Sequence, residues 1–514
     1  MNHYISGIIK IMILEAGAAL LLFDRFFAER FERQRKIGFA VLAGLMVFAW
    51  CEYGNFRVHY WEQFHFYLGA KYQNEVGWFD LYKAALIADR DVDGPHILGS
   101  VTETRDLTNF EVVKVEQALA DAGRVRAQFS DERWSTFKED LRRFSALVPW
   151  WQQPGRDGRT SWQAMMLDHG NSNSPAWAIF AHPIASLLPL TAGNLALIGA
   201  LDMLLMIALW AAAYRVFGVR LASIGLLIWA TAPNSYGDLA GSFLRWDWLF
   251  ALGLACCFMQ KEKWATAGAL FGYAVASKLF PLFFGVALLI WVAMRHWKER
   301  KLPMPYVRFG AATLASGLAW VLIAAAMFGT FDVWKQYAQR IEVSQHEKFY
   351  SIQYSLKTVY LQVVESPASE LAQRGLFPTE IKQARADVNI ADHSKGFMLV
   401  QLLFAALIGV LLWRAPNAVS AFTLGPLLVF TFLTVNMYYW NMLGLLALGL
   451  AMRPQRPFFS LLLSLYAIFC GYFLYQHTNN GFAEGYVVAL LLTVAVITNA
   501  VAKLVALRRS TVAT

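Results

Sequence analysis

Residues 310–328, from Gly310 to Phe328, read GAATLASGLAWVLIAAAMF and contain no charged side chain. An α-helix rises about 1.5 Å per residue, so such a run comes close to crossing a hydrocarbon core about 30 Å thick. Ile198 to Ala213, Leu282 to Met294 and Phe397 to Trp413 are long enough or nearly so. Across all 514 residues, 57% are hydrophobic and 16% are charged, the composition of a membrane protein and not of a globular one. Length here therefore counts membrane spans more than domains.

The net charge of +9 and a pI near 9.2 would point to nucleic acid in a soluble protein. The cations, however, sit in short breaks between apolar runs: Arg25 to Lys36, Arg215 and Arg220, Lys261 and Lys263, Arg295 to Arg308, Arg414, Arg453 and Arg456, and Arg508 with Arg509. Placing all of these in the cytoplasm satisfies the positive-inside rule with one alternation of spans, and no nucleic-acid partner is expected. Cys51, Cys256, Cys257 and Cys470 lie within or at the ends of apolar runs, which excludes a disulfide framework in exposed loops. The first run, Tyr4 to Phe23, carries Lys10 and Glu15 and reads as retained, either spanning or lying at the interface.

The resulting expectation is an all-α polytopic membrane protein with about thirteen transmembrane helices and two large non-cytoplasmic loops. Residues 1–53 hold two N-terminal helices, at 4–23 and 37–53; residues 54–190 form a first outer loop with amphipathic helices. Residues 191–328 hold central helices at 193–214, 221–232, 246–260, 264–277, 282–295 and 309–328. A second outer loop fills 329–395, and residues 396–514 carry helices at 396–413, 417–436, 440–452, 457–475 and 485–507. In the first loop, Val112, Val115 and Leu119 give one apolar helical face, and Trp134, Phe137, Leu141 and Phe144 another. Phe331, Trp334, Tyr337 and Ile341 share a face with Lys335 and Arg340 elsewhere, as in an interfacial helix; packing within the loop explains all three patterns as well. No repeat period and no low-complexity tract is present.

Soon after the second helix comes the aromatic segment Tyr60 to Ala70, YWEQFHFYLGA, then Gly77 to Tyr82, GWFDLY. A carboxylate at such a place would be partly desolvated and could act as general base toward a hydroxyl, which makes Glu62 the first candidate; an ordinary helix-end acid is the equal alternative. This segment resembles the start of the first outer loop in GT-C glycosyltransferases, specifically the polyprenyl-phosphate-mannose-dependent mannosyltransferase branch. There an acid follows an early transmembrane helix, then an aromatic with small residues, a glycine and a Leu-Tyr pair; Glu62, Tyr67, Gly69-Ala70, Gly77 and Leu81-Tyr82 stand in or near those places. The family acid is usually Asp, and one register would put it at Gln63.

Ser277-Lys278-Leu279-Phe280-Pro281 is similar to a Lys-x-x-Pro at a helix break in the same branch. An ammonium there could hold a donor phosphate as it leaves, or simply snorkel at a helix end. Arg245 could grip phosphate, with Asp238 or Asp247 orienting it or binding a divalent cation; a structural Arg-Asp pair serves equally. His346 could act as base or bind a hydroxyl, against a solvated loop histidine; His65, like it, lacks visible metal partners. Asp168 and His169, with Asn171 and Asn173, could touch sugar or acceptor hydroxyls or form a turn. Asp89, Asp91, Asp93 and Gly94 match the first half of a calcium loop, but the twelfth position is Ser100.

The resemblance implies an inverting sugar transfer from a polyprenyl-phosphate donor to a lipid, glycan or protein acceptor outside the cytoplasm. It sets the chain among membrane lipids, in a bacterial inner (plasma) membrane with the site facing outward. Glu62 would be the base, and Lys278 and Arg245 would meet the phosphate; a divalent cation is the one cofactor to consider. A transporter or flippase of a lipid-linked substrate is the alternative, and it predicts paired halves that the sequence does not display. A non-catalytic envelope scaffold is the third reading.

Overall fold

The computed structural model describes residues 3–27, 30–51, 58–92, 95–155, 158–231, 241–297, 302–345, 353–364, 379–452, 456–475 and 481–512. Among them, helices occupy the apolar runs, beginning with His3–Phe26 and Glu32–Trp50. The central set is Ala192–Ala230, Asp247–Gln260, Trp264–Ser277, Leu282–His296 and Met304–Phe328; the last set includes Thr379–Trp413, Leu443–Ala451, Arg456–Tyr475 and Gly481–Val512. Four described segments are long and apolar enough to cross a membrane: Ser6–Phe26, Ala192–Ala230, Met304–Phe328 and Ser394–Trp413. Their outer faces carry large apolar side chains, with Leu314 76% exposed. Contiguous exposed apolar surface of this extent is unfavourable in water and natural in lipid. The chain is a helical, membrane-associated protein.

Close backbone approach holds part of this bundle together. Gly268 and Gly272 lie four residues apart on one helix face, and a Cβ on Gly268 would sit 2.2 Å from the Phe309 carbonyl oxygen of the Met304–Phe328 helix. Thr313 Oγ1 uses that proximity to donate to Gly268 O at 3.1 Å. Small residues at four-residue spacing are the means by which helices in lipid reach such contact.

Several boundaries differ from the sequence map for local reasons. The second helix starts at Glu32, where an i,i+4 contact of 2.5 Å between Glu32 and Lys36 carries it into polar sequence. The helices expected at 193–214 and 221–232 are both present within Ala192–Ala230, separated at Gly218, whose φ of 79° and ψ of 166° are not helical. The span expected at 417–436 breaks into Ala418–Phe422 and Gly425–Phe432, with Pro426 in the first turn of the second piece, where a missing N–H costs nothing. Val435–Asn436 then pairs antiparallel with Gln353–Tyr354.

The long segment between the second helix and Ala192 folds around a core in which Phe64, Tyr72, Trp134, Phe137, Phe144, Trp151 and Trp162 are buried together. Asp131–Leu147 is the expected helix, capped by Ser130 and burying Trp134, Phe137, Leu141 and Phe144. Each such burial contributes about 1.5–3 kcal/mol. The other expected face is corrected: Val112–Lys114 is a strand paired with Glu103–Arg105, and helix begins only at Val115. β-branched Val112 and Val113 fit a pleated edge better than a helix. The chain is thus not purely α, although its two described sheets are two-stranded.

The helix Asp332–Gln345 also departs from expectation. Val333 and Tyr337 pack on Trp78 of the segment that follows the second helix, and Arg340 is 1% exposed. Its guanidinium donates to the His169 carbonyl and lies 4.1 Å from the Phe110 ring centre. Arg340 therefore belongs to the packed face and joins this helix to the 169–171 turn.

Candidate functional site

The segment carrying Glu62 enters as a one-turn helix, Tyr60–Gln63, whose N-cap is His59; Nδ1 of that ring accepts from Glu62 N at 3.1 Å. A wider π turn follows at Phe64–Leu68, then Gly69–Lys71. π turns cost hydrogen-bond quality and recur at functional sites. Gln63 is fully buried, and its Nε2 donates to Gly241 O at 2.9 Å and to Ser242 O at 3.2 Å. His59 N donates to the same Gly241 carbonyl at 3.1 Å. Gly241 has φ 80°, and a Cβ on Gly199 would lie 2.8 Å from its Cα, so glycine is needed on both sides of this junction. Gln63 is thus a tether, and Glu62 is the side chain that faces the basic groups.

Glu62 forms an ion pair with Arg245, with side chains 13% and 8% exposed, and Ser242 Oγ donates to the same carboxylate oxygen at 3.4 Å. Arg245 follows Leu244, a non-glycine residue at φ 49°, a strained conformation held in part by Trp177 Nε1 donating to Leu244 O at 3.0 Å. Asp202 fixes the next backbone units: its two oxygens accept from Arg245 N and Trp246 N, each at 3.0 Å. The Tyr438 ring centre lies 4.2 Å from the guanidinium carbon and that of Phe66 5.6 Å. Arg245 Nε is buried and has no hydrogen-bond partner among the described residues. No Arg245–Asp247 pair forms; Asp247 accepts from Tyr273 Oη at 2.6 Å, Ser277 Oγ at 2.8 Å and Trp248 N at 2.6 Å.

Lys278 stands in the break between Trp264–Ser277 and Leu282–His296, outside both helices. Its Nζ donates to Asn173 Oδ1 at 2.8 Å and to Ser172 O at 3.2 Å, so two of its three protons are engaged. Asn173 Nδ2 is another buried donor without a partner among the described residues. Burial, reinforced by the charge of Arg245, pushes the Lys278 ammonium down to about 7. Glu62, Arg245, Asp247 and Arg340 all act on it electrostatically, which places these charges in one neighbourhood.

A second polar group adjoins the first. His65 Nε2 lies 2.7 Å from Tyr82 Oη and its Nδ1 lies 3.8 Å from Asp168 Oδ2. Burial lowers the affinity of this imidazole for a proton, against the opposing pull of Asp168 and Glu62. Trp61 Nε1 donates to Asp168 Oδ2 at 2.5 Å, and His169 N donates to Oδ1 at 2.8 Å. Burial works against the Asp168 anion, but donation from His169 and the nearby His65 hold its carboxyl well below the usual range. The structure thus gathers Glu62, Arg245 and Lys278, with His65, Asp168 and His169 beside them.

Asp238 and His346 lie outside the described residues. Asp89 accepts from Ile97 N at 2.7 Å and Leu98 N at 3.0 Å, while Asp91 accepts from Trp134 Nε1 at 2.7 Å and Lys138 Nζ at 3.0 Å. These two acids of the half calcium loop are therefore spent on protein donors, and Asp93 and Gly94 lie outside the described residues. No group of three or more His, Cys, Asp or Glu side chains suited to a metal ion occurs among the described residues.

Sequence reasoning missed Asp202 and Tyr438. A signal existed for Asp202, a lone carboxylate within the apolar run Ile198 to Ala213, where ionisable groups are costly and tend to serve a purpose. Tyr438 had none, since only tertiary folding sets it over Arg245. Comparison of the chain with protein-family models, with curated proteins and with solved structures finds no match.

Proposed function

We propose that the chain is a GT-C-type glycosyltransferase with about thirteen spans, moving a sugar from a polyprenyl phosphate to an acceptor on the non-cytoplasmic side. The observation that supports this reading is a buried carboxylate, Glu62, paired with an arginine whose Nε has no partner among the described residues. Lys278 and Asn173 add unused donor capacity in the same neighbourhood. Buried donors without acceptors are costly, and an incoming phosphate oxygen would satisfy them.

In this reading the donor phosphate draws on Arg245 and Lys278, and loosening of the Arg245 contact frees a Glu62 oxygen to face the acceptor hydroxyl. Glu62 takes the acceptor hydroxyl proton as that oxygen bonds to the anomeric carbon. The bond from that carbon to the phosphate oxygen breaks, the electron pair leaves with polyprenyl phosphate, and Arg245 and Lys278 meet its charge. A single displacement inverts the anomeric centre.

The test is incubation of the purified protein with a panel of defined polyprenyl-phosphate sugars and candidate acceptors. Transfer from at least one donor, with inversion, is the expected result. Transfer from none, with transbilayer movement of a lipid-linked sugar in vesicles, would favour the transporter.

A pH prediction follows from Lys278. Only its ammonium form can bind the phosphate, and burial brings its loss of a proton down to about 7. For donor, kcat/KM is expected to be highest below that pH and to fall as pH rises through it, approaching about tenfold per unit. Lys278→Arg, which cannot deprotonate in this range, should lack the falling limb. An identical limb in both proteins would remove Lys278 as its source.

A further inference from the structure

At the opposite end of the helices from Glu62, the chain reverses at Gly218, whose φ of 79° suits glycine. Tyr214 Oη and Ser223 Oγ lie 2.7 Å apart across the turn. The reversal brings Arg220 to Asp24 near the end of the first helix, with Nε donating to Oδ2 at 2.8 Å. Arg35 of the second helix takes the other oxygen of the same carboxylate. One buried acid is thus shared by two guanidiniums, at a cationic break that the positive-inside rule assigns to the cytoplasm.

A cavity of about 330 Å³ opens over this trio and is also lined by Arg25, Glu32 and Lys36. A second cavity, of about 580 Å³, shares Glu32 and Lys36, adds Arg33, and continues over Ile37, Ala40 and Val219. Basic side chains outnumber acidic ones on these walls, and the polar end passes directly into an apolar one. From there Ile37, Val41, Leu45 and Phe48, each about half exposed, form a stripe along one face of the second helix. From Lys36 to Phe48 the helix rises about 18 Å. That is close to half of a hydrocarbon core about 30 Å thick, the depth reached by one acyl chain.

We propose that these two cavities and the stripe bind an anionic glycerophospholipid of the cytoplasmic leaflet. Its headgroup phosphate sits among Arg25, Arg33, Lys36 and Arg220, and one acyl chain lies over Ile37, Ala40 and Val219 and up the stripe. The apolar continuation is what distinguishes this occupant from a soluble anion, which would fill only the first cavity. The site is independent of the proposed sugar transfer.

Native mass spectrometry of the full chain in neutral detergent, with phosphatidylglycerol, phosphatidylcholine or inorganic phosphate as probe, tests the proposal. Phosphatidylglycerol is expected to bind in preference to phosphatidylcholine. A basic residue near an anionic lipid contributes about fivefold, so Arg25→Gln with Lys36→Gln should cut that preference about 25-fold. Lys36→Gln gives up only the exposed pair with Glu32, which contributes little, and neither change touches the buried Asp24–Arg35 contact, so the fold should survive. Ala40→Trp, which fills the groove without changing charge, should weaken phosphatidylglycerol but leave inorganic phosphate binding unchanged. Equal binding of the two lipids, an unchanged preference in the double variant, or inorganic phosphate competing as effectively as phosphatidylglycerol would each overturn it.

Discussion

Glu62→Gln is expected to lower the rate of sugar transfer from a polyprenyl-phosphate donor by about 10²–10⁴-fold, the span of a lost general base. The replacement keeps the shape of the side chain and its place after the His59 cap, and it removes only the charge and the proton acceptor. Ser242 Oγ, 3.4 Å from the carboxylate, can still donate to the amide oxygen. The change also leaves the Arg245 guanidinium, 8% exposed, without its anion, so the loss is to be read as kcat per folded protein, and Glu62→Asp, which keeps the charge, should recover part of it. Transfer at the wild-type rate by Glu62→Gln would show that another group takes the proton, and a scaffold would tolerate the change in every assay.

Arg245→Gln should have the largest effect on stability, about 3–5 kcal/mol, because it strands a carboxylate that is only 13% exposed. The cost arises from the abandoned charge more than from the lost attraction, so removing the partner as well should return much of it. The double variant Glu62→Gln with Arg245→Gln is accordingly expected to be more stable than Arg245→Gln alone. Denaturation in detergent of the wild type, both single variants and the double variant closes the cycle. Strict additivity of the two losses would mean that the pair is not coupled in the folded protein.

Much of the helical framework was legible because lipid imposes a length and a composition that a sequence displays directly. The Gly310 to Phe328 run is an example, since its helix needs no tertiary partner to be recognised. The break at Lys278 was legible for the same reason: a lysine and a proline interrupt two apolar runs. The pairing of Glu62 with Arg245 was not, because these residues are 183 positions apart and meet only through the Gly199–Gly241 approach. Gln63 could not be ranked against Glu62 by spacing, since the π turn after them shifts the helical phase. The Val112 face failed because three apolar residues at helical spacing also suit a strand entering a turn. Arg340 was misread because an amphipathic pattern gives the side a helix buries without saying whether lipid or protein covers it.

That last residue constrains how a substrate could come and go. A guanidinium 1% exposed, bonded to the His169 carbonyl, pins the Asp332–Gln345 helix beside the turn that carries Asp168 and Asn173. Moving this helix away from that turn would mean pulling a buried cation off its main-chain acceptors, the His169 and Asn171 carbonyls, at a cost of several kcal/mol. If the chain does handle the proposed lipid-linked donor, a hinged cover is therefore a poor doorway, and the greasy tail has its easier path sideways, from the bilayer.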